Sequence, residues 1–452
     1  MRFLIPLTVI LIGFGSLAPE LSAQRQYQYE ELRQRDFTPR GYMSIFGGIS
    51  DAQGDANATA VFKLRSDRLQ FRSVSASNRE HPDERFASQI RINFEVFRVD
   101  EEGERTGSPV VRDSYQKRAS ATSYDQTQSK SRFVEASYSF NVAPGDYVMR
   151  AIVYSNNQEQ GTFNRPFEVK EQSDDYDWVI LTKHQNEEGA YRFINKGNNS
   201  NFGQSLTAIA SLPEYSENYR VEVDRKRVRG EDTTLLKQVY DEPLRSENIH
   251  QNQSGVVTSR EHAPYLELNP DGELILAEIN LPNESFTNNH HTLRIIKEED
   301  GQQEVVTEYT WYNLWIDMPV ALLNVDFAIR KLRHIADDSE VNSMRRGSRI
   351  EREEQLIEFW KEQDPDADTS PNSKMAEFYR RIDEAYDRFT TPSGPGYESD
   401  QGKIFITMGE PIEKNRRFPS NAPTREIWEY ENATYIFEAT SGFGDYVLVD
   451  QQ

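Results

Sequence analysis

The first third of the chain alternates apolar and polar residues with the two-residue period of half-buried strands. The clearest run is Ile90 to Val96, where the two kinds of side chain alternate strictly. Pro144-Gly145-Asp146 supplies turn chemistry before a second run, Tyr147 to Tyr154, and Phe163 to Val169 ends the set. Turn-separated strands without helical periods between them predict an antiparallel β-sandwich over residues 41–170.

The two-residue period returns beyond an acidic, polar joint, Glu171 to Asp177, which we interpret as a domain boundary. It predicts a second all-β antiparallel sandwich over residues 178–310, with a loosely patterned insert near 224–262. In the first sandwich, residues 104–131 are rich in Ser, Thr, Gln and Arg, and they predict a long loop or a ragged hairpin. The runs of the second sandwich are Trp178 to Thr182, Ser205 to Ala210, Tyr219 to Val223, Glu273 to Ile279 and Thr292 to Ile296.

Near Trp311 the apolar period lengthens to 3.6 residues, which is the period of an α-helix. Three helical stripes follow, and Thr391 to Gly396 then breaks the helical pattern with Pro and Gly. We therefore predict an α+β domain over residues 311–452, with helices first and a small antiparallel sheet after them. The stripes are Leu322 to Ile335, Ile350 to Trp360 and Met375 to Phe389, and the predicted strands are Lys403 to Met408, Glu426 to Tyr430, Thr434 to Glu438 and Tyr446 to Val449.

The N-terminal residues have the three-part layout of a secretory signal peptide. Arg2 carries a positive charge, Phe3 to Phe14 is mostly apolar, and Leu21-Ser22-Ala23 offers a cleavage site. The apolar core is too short to span a bilayer, and no later stretch is long enough. We expect a signal peptide over residues 1–23 and a flexible lead-in over 24–40. The mature protein is then exported to the periplasm or the extracellular medium, with no transmembrane segment after cleavage.

The composition excludes several classes of chemistry. The 452 residues include 52 Lys+Arg and 74 Asp+Glu, a formal charge of −22, and no cysteine. An acidic surface disfavours nucleic acid as a partner, and the lack of cysteine excludes disulfides, thiol nucleophiles and Cys-ligated metals. The carboxylates of Asp364 to Asp368 are spaced as in a calcium loop, but Thr369 and Met375 stand where that loop needs Gly and Glu. We expect no cofactor and no metal site, and the sequence identifies no catalytic residue.

An ordered series of motifs marks the last third of the chain. It consists of Gly396 to Gly402, Ile404 to Ile406, Gly409-Glu410-Pro411 and Glu426 to Tyr430. Over roughly residues 315–450, this series resembles the C-terminal GWxTD domain of exported bacterial proteins. Tyr397 and Ser399 stand where the family has Trp and Thr. Both replacements keep the physical type, an aromatic ring and a small hydroxyl side chain, so the resemblance still implies the fold of that family.

The central motif is typical of a structured corner that seats the sheet on the helices, and a ligand-binding loop is the alternative. Glycine at 396, 402 and 409 permits tight turns, close backbone approach or positive φ, while Ser399 and Asp400 can cap backbone N–H groups. Between Lys403 and Arg425, five basic residues outnumber two acidic ones, which suits an anionic partner or an internal carboxylate. The candidate binding or motif residues are Gly396, Tyr397, Ser399, Asp400, Gly402, Gly409, Pro411, Arg416, Arg417 and Trp428.

These features together predict an exported, non-enzymatic interaction or structural protein of the bacterial envelope. Its expected partner is a protein or an envelope component, because tandem sandwiches commonly act as spacers and binding platforms. The expected recognition surface is the segment 394–425, with Tyr397 and the Arg416/Arg417 pair. One alternative is an exported hydrolase that acts on glycan or peptide through unidentified carboxylates. Another is a glycan-binding protein whose exposed aromatic side chains stack on sugars.

Overall fold

The computed structural model describes residues 29–33, 41–46, 56–169, 179–182, 189–194, 199–229, 232–260, 263–299, 301–364, 371–420, 422–440 and 444–452. The predicted signal peptide, the acidic joint at 171–177 and residues 365–368 of the aspartate-rich stretch lie outside this part of the chain. The chain divides into two compact units. One unit is Thr38–Asp317, and the other is Met318–Gln452 together with Met1–Phe37.

The first sandwich contains two antiparallel sheets that share one buried core. Its strands are β1 (Gly41–Phe46), β2 (Ala56–Arg65), β3 (Arg72–Ser73), β4 (Phe86–Val99), β5 (Arg105–Ala121), β6 (Phe133–Val142), β7 (Gly145–Ser155) and β8 (Gln158–Val169), with the short helix α1 (Tyr124–Gln128) after β5. The smaller sheet has the order β1-β2-β6, and the larger has the order β3-β4-β7-β8 with β5 paired to β4. Phe62 from the first sheet and Phe94 from the second are buried in the same cluster, because alternate side chains of each strand point inward.

Most of residues 104–131 form one arm of a hairpin. β5 pairs with β4 along nearly its full length, with one register shift between Val96 and Arg98. Most β5 side chains are exposed, so the strand lacks the apolar alternation that marks a half-buried strand in a sequence. Of the two predictions for this stretch, the hairpin is right and the long loop is wrong.

The second sandwich also has two sheets around a common core, in which Trp311 is almost fully buried. One sheet has the order β10-β16-β12-β9, with β15 paired to β16, and the other has the order β11-β18-β17-β13-β14. All described pairings in it are antiparallel except that of β11 with β18. The strands are β9 (Val179–Thr182), β10 (Ala190–Arg192), β11 (Asn199–Asn201), β12 (Leu206–Leu212), β13 (Tyr219–Arg229), β14 (Asp232–Pro243), β15 (Ile249–Arg260), β16 (Ala263–Leu281), β17 (His290–Glu299) and β18 (Gln302–Leu314).

Two features of this region differ from those predicted, the structure of the insert and the start of the α+β domain. The insert expected near 224–262 is made largely of strands, because β13 pairs with β14 and β15 pairs with β16 in long, irregular hairpins. The α+β domain does not begin at 311, because Trp311 belongs to β18 and to the core of the sandwich. The division between the two compact units lies between Asp317 and Met318.

The C-terminal unit packs helices against a four-stranded antiparallel sheet, as the apolar periods predict. The sheet has the strand order β19-β20-β21-β22. Side-chain N-caps fix where two of the helices begin, since Ser348 forms a capping box with Glu351 and Asn372 accepts a hydrogen bond from the Met375 N–H. The elements are α2 (Val325–Lys331), α3 (Asp338–Met344), α4 (Arg349–Lys361), α5 (Ser373–Phe389), α6 (Asp400–Met408), β19 (Glu413–Arg417), β20 (Arg425–Glu429), β21 (Thr434–Ala439) and β22 (Tyr446–Gln451).

The strand predicted from Lys403 to Met408 is wrong, because these residues belong to helix α6. The run Ile404-Phe405-Ile406 is short and apolar, with two β-branched residues, and such a run does not distinguish a buried strand from a helix. The residues at its two ends favour a helix here, since Ser399 is the N-cap and Gly409 comes directly after the last helical residue. Within the described part of the chain, no helix combines the length and the apolar character needed to cross a lipid bilayer.

Candidate functional site

The motif after α5 folds into a tight corner because two glycines let backbone segments touch. A Cβ on Gly396 would lie 2.0 Å from the carbonyl oxygen of Ala385, and one on Gly402 would lie 1.8 Å from the carbonyl oxygen of Gly396. Both distances are far below van der Waals contact, so a larger residue at either position would displace backbone. The close backbone approach expected at Gly402 is observed.

Two polar residues of the motif satisfy backbone groups around this corner. The Ser399 hydroxyl accepts a hydrogen bond from the Gly402 N–H at 3.0 Å and donates one to the Gly396 carbonyl at 2.7 Å. Asp400 accepts a hydrogen bond from the Leu448 N–H at 3.1 Å, which ties α6 to β22. The motif hydroxyl and carboxylate therefore both bond to backbone N–H groups, as the sequence predicts.

Tyr397, the aromatic residue of the motif, is fully buried. Its ring centroid lies 5.5 Å from that of Phe327 and 5.9 Å from that of Tyr386. The Lys331 ammonium lies 3.7 Å from the centroid of the Tyr397 ring and 3.5 Å from a carboxylate oxygen of Glu398, so it contacts both a π face and an anion. The prediction that Tyr397 contributes to an exposed recognition surface is wrong, because its ring is part of the core.

A further ring of this cluster comes from the other end of the sequence. Residues 29–33 are helical, and the Tyr29 side chain is fully buried, with its ring centroid 5.4 Å from that of Tyr397 and 4.6 Å from that of Tyr386. Within the lead-in predicted over 24–40, these five residues are therefore a docked helix instead of a flexible segment. A single buried side chain produces no apolar period, so the sequence pattern does not reveal it.

Asp383, on α5, is the polar centre beneath these rings. Its carboxylate accepts hydrogen bonds from the Tyr29 hydroxyl, from the Val320 N–H at 2.7 Å and from the Ala321 N–H at 3.1 Å. Burial raises the pKa of Asp383 to about 6, and these hydrogen bonds with the nearby Arg33 offset only part of the rise. A buried carboxyl group surrounded by donors is suited to hold a phenol hydroxyl.

The raised pKa of Asp383 predicts a specific pH dependence of stability. Because its pKa is near 6 in the folded chain and ordinarily 3.8, folding favours the protonated carboxyl. That contribution is complete below about pH 4 and is lost as the pH rises through about 6. The Asp383→Asn variant has no such titration. As the pH increases through this window, its free energy of unfolding should therefore rise relative to that of the wild type. Urea unfolding of both proteins from about pH 4 to about pH 7 measures the difference, and a constant difference would contradict the prediction.

Trp428 and Arg416 meet at one carboxylate, that of Glu426, which is 9% exposed. Glu426 accepts hydrogen bonds from Trp428 Nε1 at 2.7 Å, from Arg416 Nη2 at 2.7 Å and from Gln401 Nε2 at 3.1 Å. Trp428 itself is fully buried. Arg416 therefore forms an ion pair with a carboxylate of its own sheet, which is one of the two roles considered for the positive segment.

Arg417 differs from the other basic residues between 403 and 425 in that it forms no ion pair with a described carboxylate. Its side chain is exposed, and among the described residues no carboxylate forms an ion pair with it. It ends β19, whereas the remaining positive charges of the segment are neutralised by neighbours on the same unit. Those pairs are Lys403 with Asp400 at 3.0 Å, Lys414 with Glu410 at 3.0 Å and Arg425 with Glu438 at 3.1 Å.

Gly409 and Pro411 shape the connection between α6 and β19. Gly409 has a φ of +80°, and a Cβ there would lie 3.0 Å from the guanidinium of Arg381. This is the left-handed conformation that favours glycine, and it ends the helix. Pro411 is buried just before the strand. Both residues therefore have a structural role in this connection.

A groove of about 410 Å³ lies beside the corner and is lined in part by Asp400, Asp445 and Tyr446. Asp445 accepts hydrogen bonds from the hydroxyls of Thr391 and Ser393. Burial alone would raise the pKa of Asp400, but the Leu448 N–H and the Lys403 ammonium outweigh it and hold that pKa below its usual value. A carboxylate held in its ionised form cannot donate a proton, so Asp400 does not fit the general-acid role of a glycosidase.

Sequence reasoning assigned no individual role to four residues that organise this region: Tyr29, Lys331, Asp383 and Glu426. Asp383 carried a signal, since it adjoins the buried stripe of α5, and a carboxylate beside a buried stripe needs partners. The other three become meaningful only when distant segments meet. Within the part of the chain that the structure describes, no group of three or more His, Asp or Glu side chains could hold a metal ion.

Of three comparisons with known proteins, one identifies a family domain in this chain. No curated protein matches the chain significantly. A solved structure of the C-terminal domain of the Streptococcus pyogenes antigen I/II-family protein AspA aligns with 61% of this chain and 100% of that chain at 10% identity. Its TM-score of 0.16 is too low to support a shared fold. The family model of the GWxTD domain matches residues 321–446. The C-terminal unit of this chain therefore contains a GWxTD domain over residues 321–446.

Proposed function

We propose that this chain is an exported, non-enzymatic interaction or structural protein of the bacterial envelope. It contacts a protein or another envelope component through the edge strand β19 and the two residues that flank it. Export rests on the signal-peptide layout of residues 1–23, and the interaction role rests on the exposed surface around β19. The buried motif residues hold that strand in place and do not themselves meet the partner.

The observation that carries this proposal is an exposed sheet edge with large apolar side chains at both ends. β19 lies at one end of the strand order, and among the described residues it pairs with β20 alone. Ile412 is 77% exposed and Phe418 is 74% exposed. Native proteins usually protect sheet edges, and exposed apolar side chains beside such an edge favour docking of an extended partner segment.

The charge around β19 specifies the chemistry of the partner. Arg417 is exposed and has no carboxylate partner among the described residues, on a protein whose formal charge is −22. An extended segment that adds to this edge is complementary to it when it carries a carboxylate near Arg417 and apolar side chains near Ile412 and Phe418. We therefore expect an acidic partner segment with apolar flanks.

The Arg417→Glu/Phe418→Ser double variant should lose the partner without losing its fold. Both side chains are exposed, so the change removes an attractive charge and an apolar contact while leaving the core intact. In a crosslinking pull-down of tagged mature protein from its native envelope, we expect recovery of the main partner to fall by about tenfold. Arg416 is left unchanged because of its bond to Glu426.

The matched control is Arg346→Glu/Ile357→Ser, which also changes one exposed arginine and one exposed apolar residue of the same unit. Recovery should be unaffected in this control, and the melting temperature of both variants should match that of the wild type. Equal recovery by the β19 variant and the wild type would remove this edge as the recognition surface. Capture of glycan fragments instead of a protein would favour the glycan-binding alternative, with the groove beside Tyr446 as a candidate location.

A further inference from the structure

The cavity that holds Tyr29 is built by the GWxTD domain, whereas its occupant comes from outside that domain. The family model begins at residue 321, and Tyr29 is 354 positions from Asp383 in sequence. Among the five described residues of the occupant, the Tyr29 side chain is fully buried. A domain that binds a segment from a distant part of the chain is arranged like a receptor with its peptide.

The wall and base of the cavity suit a tyrosine side chain in particular. The Tyr29 ring contacts Phe327, Tyr386 and Tyr397, with centroid distances of 5.2, 4.6 and 5.4 Å. Edge and tilted contacts of this kind favour an aromatic ring over an aliphatic side chain. The carboxylate of Asp383 is oriented by two backbone N–H groups of its own unit, so it presents a fixed acceptor to the phenol hydroxyl.

The rim of the cavity adds two polar contacts that set the sequence pattern of the occupant. The Tyr386 hydroxyl donates to the Glu30 carboxylate at 3.1 Å. Arg33 pairs with Asp387 at 2.5 Å, and its guanidinium lies 5.3 Å from the centroid of the Tyr386 ring. Tyr29 and Arg33 are four residues apart and so share one face of the helix.

We propose that this cavity is a peptide-binding site for a short helix that inserts a tyrosine, followed directly by a glutamate and, four residues after the tyrosine, by an arginine. In this chain the site is occupied by residues 29–33. The chain's own segment thereby closes the site, and a peptide with the same pattern binds when that segment is absent. The site is distinct from the β19 edge, so loss of β19 binding leaves this proposal standing, and the reverse also holds.

A synthetic peptide of residues 25–37, labelled with a fluorophore, tests the proposal on the full mature chain. The Tyr29→Ala variant vacates the cavity, and circular dichroism checks that it keeps its fold. We expect this variant to bind the peptide saturably and at least about tenfold more tightly than the wild type, whose site is filled. The same peptide with alanine in place of its Tyr29 should lose this binding. Absence of saturable binding up to about 1 mM, or equal binding by variant and wild type, would overturn the proposal.

A second measurement leaves Tyr29 in place and so does not depend on how the alanine variant folds. A specific protease site is inserted after Arg35 in the full mature chain, and the N-terminal fragment is cut from the folded protein. We expect the fragment to remain bound on size-exclusion chromatography and to exchange for an excess of the labelled peptide. A fragment that never exchanges would show that the segment is a fixed part of the domain and not a ligand. A fragment that leaves without the peptide taking its place would show that the cavity does not bind this sequence.

Discussion

Replacing Gly402 by alanine should destabilise the C-terminal unit by about 3 kcal/mol or more, although the residue lies in a helix. Helix propensity alone favours alanine over glycine by about 1 kcal/mol. The added methyl group, however, would stand 1.8 Å from the carbonyl oxygen of Gly396, and backbone cannot yield as a flexible side chain can. The N–H that bonds to Ser399 is kept in the variant, so the expected loss comes from the crowding of the added methyl group.

Gly161→Ala is the matched control for this substitution. A Cβ at Gly161 would meet nothing within 4 Å, so the change should alter the free energy of unfolding by no more than about 0.5 kcal/mol. Urea unfolding followed by near-ultraviolet circular dichroism gives both values, and limited proteolysis locates the loss in the C-terminal unit. If Gly402→Ala leaves the unfolding midpoint in place, the corner is not as tight as the backbone distances indicate.

The sequence predicts the sandwich and helix architecture well because periodic burial leaves a periodic pattern. The strict alternation of Ile90 to Val96 corresponds to β4, and the stripe from Met375 to Phe389 corresponds to α5. Prediction fails where an element has too little burial, or is too short, to show a periodic pattern. β5 is a strand with little burial, so it has no alternation. Helix α6 has an apolar run too short to carry a period, and its caps decide its structure.

Of the residues expected to meet a partner, Tyr397 was assigned the wrong exposure. Tyr397 is fully buried and Arg416 bonds to Glu426, so two of the three residues expected to meet a partner are structural. Both arginines have the expected exposure, but among the described residues only Arg417 has no carboxylate partner. An aromatic residue after a glycine turn has the same sequence signal whether its ring faces solvent or the core. The contact that buries it here involves Tyr29, which a local pattern cannot reveal.

Truncating Tyr397 to alanine should cost about 3–5 kcal/mol of the free energy of unfolding of the C-terminal unit. The ring is fully buried, so the variant leaves a cavity and also removes the surface over which the Lys331 ammonium lies at 3.7 Å. Tyr397→Phe keeps the ring and is the matched control, with a much smaller expected loss. Urea unfolding measures both, and equal values would show that the ring does not carry the packing.

The tryptophan that the GWxTD family has at this position gives a sharper test of how Tyr29 and Tyr397 share space. Tyr397→Trp enlarges a ring whose centroid is already 5.4 Å from that of Tyr29, so it should cost about 1–3 kcal/mol in the otherwise unchanged chain. In the Tyr29→Ala background the vacated volume can accept the indole, and the same substitution should cost less or stabilise the unit. The four proteins form a double-mutant cycle whose coupling energy should then favour the doubly substituted chain. An identical cost in both backgrounds would mean that the two rings do not compete, and that the tyrosine at 397 has no connection with the N-terminal segment docked beside it.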